Sequence, residues 1–303
     1  MTAQAGVCAE PNLHAYYLMF DILPGCQPAV RAALAEVPAL WRELAQGYPD
    51  AHFSGLVAVG DRAWDGLYPR ARPSELAPFP AQQEGKRVAP ETPFDLFFQS
   101  RADRLDVLHI AVQRLMALLA DKAELKYERQ GFRYLDSRDF TGFVDGTENP
   151  QGEHRAEVAL VAEGPFAGGS YVHVQHYRHN MAKWQRLSVQ SQEDVYGRTK
   201  VENIEYDSDK KPLTAHTKRT SLKDGAGNSM EILRQSMPWG SAAEQGLVFI
   251  SCCNTPLHFT RMLDSIFQAD GAGHFDHLML FTQAETGSAF FAPSQEWLER
   301  QGE

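Results

Sequence analysis

Apolar and polar positions alternate along the first 135 residues in a regular rhythm of short strands and single helical stripes. Residues 14–22 (HAYYLMFDI) are aromatic-rich and short and predict a strand. Over 28–46, apolar residues recur at helical spacing through Val30, Leu34, Val37, Leu40 and Leu44. That pattern predicts a helix, which Pro38 should kink or divide. Residues 52–60 read as a second strand and 94–101 as a third. Between them, 69–93 is rich in Pro, Gln, Glu and Arg and reads as a long surface connection. Leu105, Leu108, Val112, Leu115 and Leu119 share one helical face within 103–120, and 127–135 predicts a fourth strand. The order β-α-β, long loop, β-α-β is that of a ferredoxin-like sandwich, one antiparallel sheet with helices on one face.

The second half repeats the rhythm with longer insertions. Strands are expected at 158–164, 168–177, 231–236, 246–252 and 286–292, and helices at 181–194 and 255–267. A long polar stretch fills 198–230. The expected fold class is therefore α+β, with two ferredoxin-like domains, 1–138 and 139–303, joined near 136–150. No sequence repeat accompanies this symmetry, which rests on element order alone.

Composition narrows the function. A chain of 303 residues can bury roughly 75% of its unfolded surface without metals or disulfides. Its 29 Lys and Arg against 39 Asp and Glu make the formal charge −10, a sign repelled by phosphate backbones and anionic lipid. Neither nucleic acid nor a membrane surface is expected as a partner. No apolar run reaches the roughly 18 residues of a membrane-spanning helix. The first residues lack a basic-then-apolar leader and a twin-arginine pair. The cysteines, Cys8, Cys26, Cys252 and Cys253, form no C-x-x-C and include an adjacent pair, so reduced thiols in the cytoplasm are expected.

Three segments could carry chemistry. In DFTGFVDGTENPQG (139–152), Gly142 and Gly146 flank Asp145, so the backbone can take positive φ or approach a ligand closely. Asp145 is then either a turn residue in a connecting loop or a carboxylate presented to a ligand. His216, in PLTAHTKRTSL, could ligate a metal or haem iron, or lie on the surface of a loop. Arg234, in MEILRQSMPWG, sits among apolar neighbours and needs an anionic partner, whether a structural carboxylate or a charge that develops in a reaction. His173, His176 and His179 recur every third residue, but His173 and His176 fall on opposite faces of a strand and make a poor metal site. Trp184, Trp239 and Trp297 read first as core packing.

Taken together these segments resemble the dye-decolourising peroxidases, in particular the smaller bacterial B-type group. GFVDGTENP (142–150) matches the family's G-x-x-D-G signature; GRTK (197–200), TAHTKR (214–219), LRQSMPWG (233–240), FDHLMLF (275–281) and FFAPS (290–294) follow in the family's order. The resemblance spans nearly the whole chain. It implies haem b held mainly in the C-terminal domain, and a peroxidase that reduces H2O2 and oxidises dyes, phenols or other small donors through an oxyferryl intermediate. His216 matches the iron ligand, Asp276 the carboxylate that bonds it, Asp145 and Arg234 the pair that handles peroxide, and Arg198 a propionate contact. Ser236 stands where the family often has Asn, and its hydroxyl can still bond peroxide or water. The resemblance also implies a homo-oligomer. The short segment after the last strand implies no tail of the kind that directs relatives into protein shells. A haem-processing enzyme that releases iron and a non-catalytic haem carrier are the alternatives on the same scaffold.

Overall fold

A computed structural model describes residues 1–302. Ten strands form its main sheet: β1 His14–Ile22, β2 Ser54–Gly60, β3 Leu96–Ala102, β4 Ala123–Phe132, β5 Ser170–His179, β6 Leu233–Arg234, β7 Met237–Gly240, β8 Gln245–Cys253, β9 Thr282–Ala284 and β10 Ser288–Ala292. The helices that matter below are α1 Gln27–Gly47, α2 Leu105–Leu119, α3 Val189–Tyr196, α4 His216–Thr220 and α5 Pro256–Phe267. In the first half the strands lie in the order β4-β1-β3-β2, all antiparallel, with α1 and α2 on one face. The second half has the same plan, β10-β5-β8-β6, with β7 extending β6 along β8 and α5 on the outer face.

The two sheets expected from the element order are one. Edge strand β2 pairs with β10 through Gly60 opposite Phe290 and Val59 opposite Phe291, so a single antiparallel sheet runs through both halves. Each half would otherwise leave an edge of unpaired N–H and C=O groups. The sheet curls until β4 meets β7, where Gly131 lies against the Met237 side chain. Its inner surface encloses Tyr17, Met19, Phe97, Val174, Ile250 and Phe290, all essentially inaccessible. Burying each of the aliphatic, Met and Phe side chains contributes about 1.5–3 kcal/mol.

Local departures from the sequence reading have local causes. Pro38 is buried inside α1, which continues through it because its apolar face packs on the sheet. The expected strand 158–164 is instead the last two residues of a helix, His154–Ala159, and the loop that follows it; a short apolar run does not by itself distinguish strand from helix. The expected helix 181–194 breaks into Met181–Trp184 and α3, capped by the Asn180 and Ser188 side chains. The strand expected at 231–236 narrows to β6, with β7 beyond it, and FDHLMLF (275–281) is a 3-10 turn, His277–Leu280, capped by Asp276.

Candidate active site

A cavity of about 340 Å³ opens on the outer face of the second half. Gln175, Tyr177, Leu247 and Phe249 of β5 and β8 form its floor, and Phe259, Met262, Leu263 and Ile266 of α5 give it an apolar side. Four of the residues singled out above line it: Asp145, Arg198, His216 and Arg234. A fifth, Asp276, touches it through His216.

His216 begins α4, and its ring is held from behind. Nδ1 lies 2.6 Å from Asp276 Oδ2, and the Asp276 side chain is wholly buried. The other carboxylate oxygen of Asp276 accepts the Leu278 N–H at 2.9 Å, and the His277 N–H bonds Thr214 O at 3.0 Å. These bonds fix the His216 loop to the Asp276 turn. In the neutral ring, a carboxylate that accepts from Nδ1–H leaves the lone pair on Nε2. Nε2 has no hydrogen-bond partner among the described residues.

Asp145 and Arg234 reach the cavity from separate segments. Gly142 takes φ +91° and Gly146 +81°, as the flanking glycines require, and a Cβ at Gly142 would collide with the Lys200 side chain. The Arg138 guanidinium ties this loop to the 197–201 turn by donating to Gly142 O at 2.8 Å, to Lys200 O and to Val201 O at 3.3 Å. Asp145 donates its main-chain N–H to Ser137 O. Its carboxylate has no partner among the described residues. Arg234 lies in β6 opposite Ser251, and its guanidinium likewise has no partner among them; the ion pair that burial alone would suggest is absent there. The cavity therefore holds an unpaired carboxylate and an unpaired guanidinium.

Arg198 is nearly buried. It donates from Nη2 to Asn203 O at 3.2 Å and lies 3.7 Å from Glu148, while its Nε is buried without a partner. Ser236 does not line the cavity: its hydroxyl accepts the Ile250 N–H at 3.1 Å across the junction of β6 and β7. The histidine series splits up as strand alternation requires. His173 stacks on Phe259 at 4.0 Å, and His176 packs against Trp239 and Tyr127. Burial pushes His173 down to about 3 and His176 to about 4, so both are neutral. Trp184, Trp239 and Trp297 are buried in the core.

The sequence reading overlooked a polar chain along one cavity wall. His179 Nε2 is 3.0 Å from Asp139 Oδ1, Asp139 accepts from Thr141 Oγ1 at 2.7 Å, and Thr141 Oγ1 is 2.8 Å from the Tyr196 hydroxyl. Burial would raise the Asp139 carboxyl, but the charge and hydrogen bond of His179, with the bonds from Thr141, hold it below its ordinary value. Tyr196 is pushed well up by burial and then by Asp139, so its phenol stays protonated. Asp139 opens the same motif that carries Asp145, and that was the available signal. Nothing local linked it to His179.

Fold and cavity together define an α+β protein of two like halves, whose second half encloses an apolar slot with a carboxylate-backed imidazole, a free carboxylate and a free guanidinium. The chain belongs to the Dyp-type peroxidase family: the family's N-terminal model matches residues 4–133 and its C-terminal model residues 136–297. It is 40% identical over 290 residues to the dye-decolorizing peroxidase of Rhodococcus erythropolis, covering 94% of this chain and 85% of that one. A Dyp-type peroxidase structure from Shewanella oneidensis superposes with a TM-score of 0.97 at 55% identity, covering 99% of this chain and 98% of the other. A DypB variant from Rhodococcus jostii RHA1 in complex with heme gives 0.95 at 34%, covering 100% and 99%. No helix among the described residues is long and apolar enough to cross a membrane.

Proposed function

We propose that the chain is a haem-dependent peroxidase of the B-type group, with domains 1–138 and 139–303. The carrying observation is the set of unpaired reactive groups in one cavity: His216 Nε2 with its ring fixed by Asp276, the Asp145 carboxylate and the Arg234 guanidinium. The residues fit iron protoporphyrin IX. Phe249, Phe259, Met262, Leu263 and Ile266 suit a flat apolar macrocycle, and the buried, unpartnered Nε of Arg198 suits a carboxylate of its rim.

When bound, the group supplies a redox-active iron for cleavage of the O–O bond of H2O2 and for oxidation of a donor. The protein's part follows from its side chains. His216 offers Nε2 to the metal, and Asp276 makes that imidazole more electron-rich by accepting from Nδ1–H. Asp145, as a carboxylate, takes a proton from one peroxide oxygen and returns it to the other, which leaves as water. Arg234 holds positive charge where negative charge develops on the leaving oxygen. A haem carrier needs His216 but neither of the others; two unpaired charged groups held in an apolar cavity favour a catalyst. Ser236 does not line the cavity, and no role in the reaction is proposed for it.

H2O2 and small reductants such as dyes and phenols are the proposed partners. A cytoplasmic location is supported by four free thiols, and self-association by exposed Leu135, Val201 and Ile204. The test is absorbance: haem-free protein titrated with haem should develop a Soret band that shifts on adding H2O2. His216→Ala should lose the wild-type spectrum. Retention of that spectrum would refute the ligand assignment, and release of free protoporphyrin would favour iron removal instead.

A further inference from the structure

We propose that Asn149 is a positioning residue for the peroxide reaction, its side-chain amide clamping the main chain of Arg234 to the loop that carries Asp145; the inference rests on the peroxidase reading. Strand β6 is two residues long and pairs with β8 on one edge only. Gln235 donates to Ile250 O on that edge, so the N–H and C=O of Arg234 point the other way, where no strand lies. Asn149 takes the place of a strand there. Its Oδ1 accepts the Arg234 N–H at 2.8 Å, and its Nδ2 donates to Arg234 O at 2.8 Å. A carboxamide carries a donor and an acceptor side by side, as a peptide group does, and so satisfies both.

The other end of the clamp is equally fixed. The Asn149 N–H donates to Gly146 O at 3.0 Å, closing the turn that starts at the residue after Asp145. Pro150 follows, and its carbonyl accepts from Arg155 Nη1 at 3.3 Å. Neither the Asp145 carboxylate nor the Arg234 guanidinium has a partner among the described residues to orient it. Their relative placement is thus set by main chains, and the hydrogen bonds joining those two segments among the described residues are the two made by Asn149. Asn149 itself does not line the cavity, so it acts through Arg234 and not on substrate.

Asn149→Ala and Asn149→Asp test this in the haem-loaded and haem-free protein. In haem-free Asn149→Ala, hydrogen exchange at the Arg234 amide should accelerate; in Asn149→Asp, which keeps the acceptor, it should stay protected. In haem-loaded Asn149→Ala, the rate constant for reaction with H2O2 should fall about tenfold or more, because a small misplacement of an acting group is costly. KM for the reducing dye should not move. In an Arg234→Leu background the same change should add less than about a twofold effect, since the clamp's target is gone. A wild-type H2O2 rate in either Asn149 variant, or equal slowing with and without Arg234, would overturn the proposal. If Asn149→Ala fails to fold, Asn149→Asp, which replaces the donor to Arg234 O by a charged acceptor, carries the rate test. Failure of wild-type protein to react with H2O2 would count against the peroxidase reading, and amide exchange would still judge the clamp.

Discussion

Replacing Asp276 by Asn should weaken haem binding far more than it weakens the fold. The carboxylate accepts two hydrogen bonds, from His216 Nδ1 at 2.6 Å and from the Leu278 N–H at 2.9 Å, one on each oxygen. Asparagine has one acceptor oxygen and one NH2 group. Its side chain cannot serve two donors, and at a wholly buried position no water takes the second. The arrangement that leaves nothing unpaired gives the oxygen to Leu278 and the NH2 to His216 Nδ1. The imidazole must then carry its proton on Nε2, the nitrogen left for the metal. Ligation would require the ring to switch tautomer and leave one buried donor unmet, at about 1–3 kcal/mol. At 1.4 kcal/mol per factor of ten, haem affinity should fall about 5-fold to 150-fold. Titration of the haem-free protein, followed by Soret absorbance, measures this directly, and a melt of the same haem-free protein measures the fold. Unchanged affinity and an unchanged Soret position would refute the tautomer argument. An equal loss in both measurements would make Asp276 a structural residue only.

Three other outcomes follow from the same geometry. Arg234→Leu should slow the H2O2 reaction by about 100-fold to 1,000-fold, the usual worth of one preorganised charge, and unchanged stopped-flow rates would remove arginine from the mechanism. His173 is held neutral in the fold with its value lowered to about 3, so the unfolded chain binds the extra proton first as pH falls. Its contribution to stability is present above about pH 6.5 and is lost on the way down, by up to about 1.4 kcal/mol per pH unit. His173→Phe should therefore flatten the fall in melting temperature between pH 6.5 and 4; an unchanged slope would contradict this. Asp139 has a lowered value, so its contribution is present above the ordinary carboxylate range and is lost as pH falls through the folded value. The stability gap between wild type and Asp139→Asn should narrow below about pH 4, and a gap that widens would refute the pairing with His179.

Much of the first half was legible because its signal is local. A helix whose apolar face packs on a sheet shows its period over a few turns, as Leu108 to Leu119 do although Leu105 is exposed, and a strand shows its run within nine residues, as His14 to Ile22 do. The proposed reacting groups were legible for another reason. A carboxylate between glycines, and an arginine among apolar residues, are chemically conspicuous wherever the chain places them. The helix at His154–Ala159 was not legible, because it spans under two turns and its buried face, Arg155, Val158 and Ala159, starts on a charged residue that reads as exposed.

The amino-acid sequence by itself determined the α+β order and the acidic charge, and it put forward Asp145, His216, Arg234 and Asp276 as the candidate groups. Tertiary structure alone decided that Gly60 and Phe290 join two sheets into one, that Ser236 turns to the main chain, and that Asp139 meets His179. It also decided that the amide of Asn149 holds Arg234. Each is a pairing between residues remote in sequence. Such pairings follow from which backbone groups remain unsatisfied after the local elements form, and that is known only when the whole chain has closed on itself.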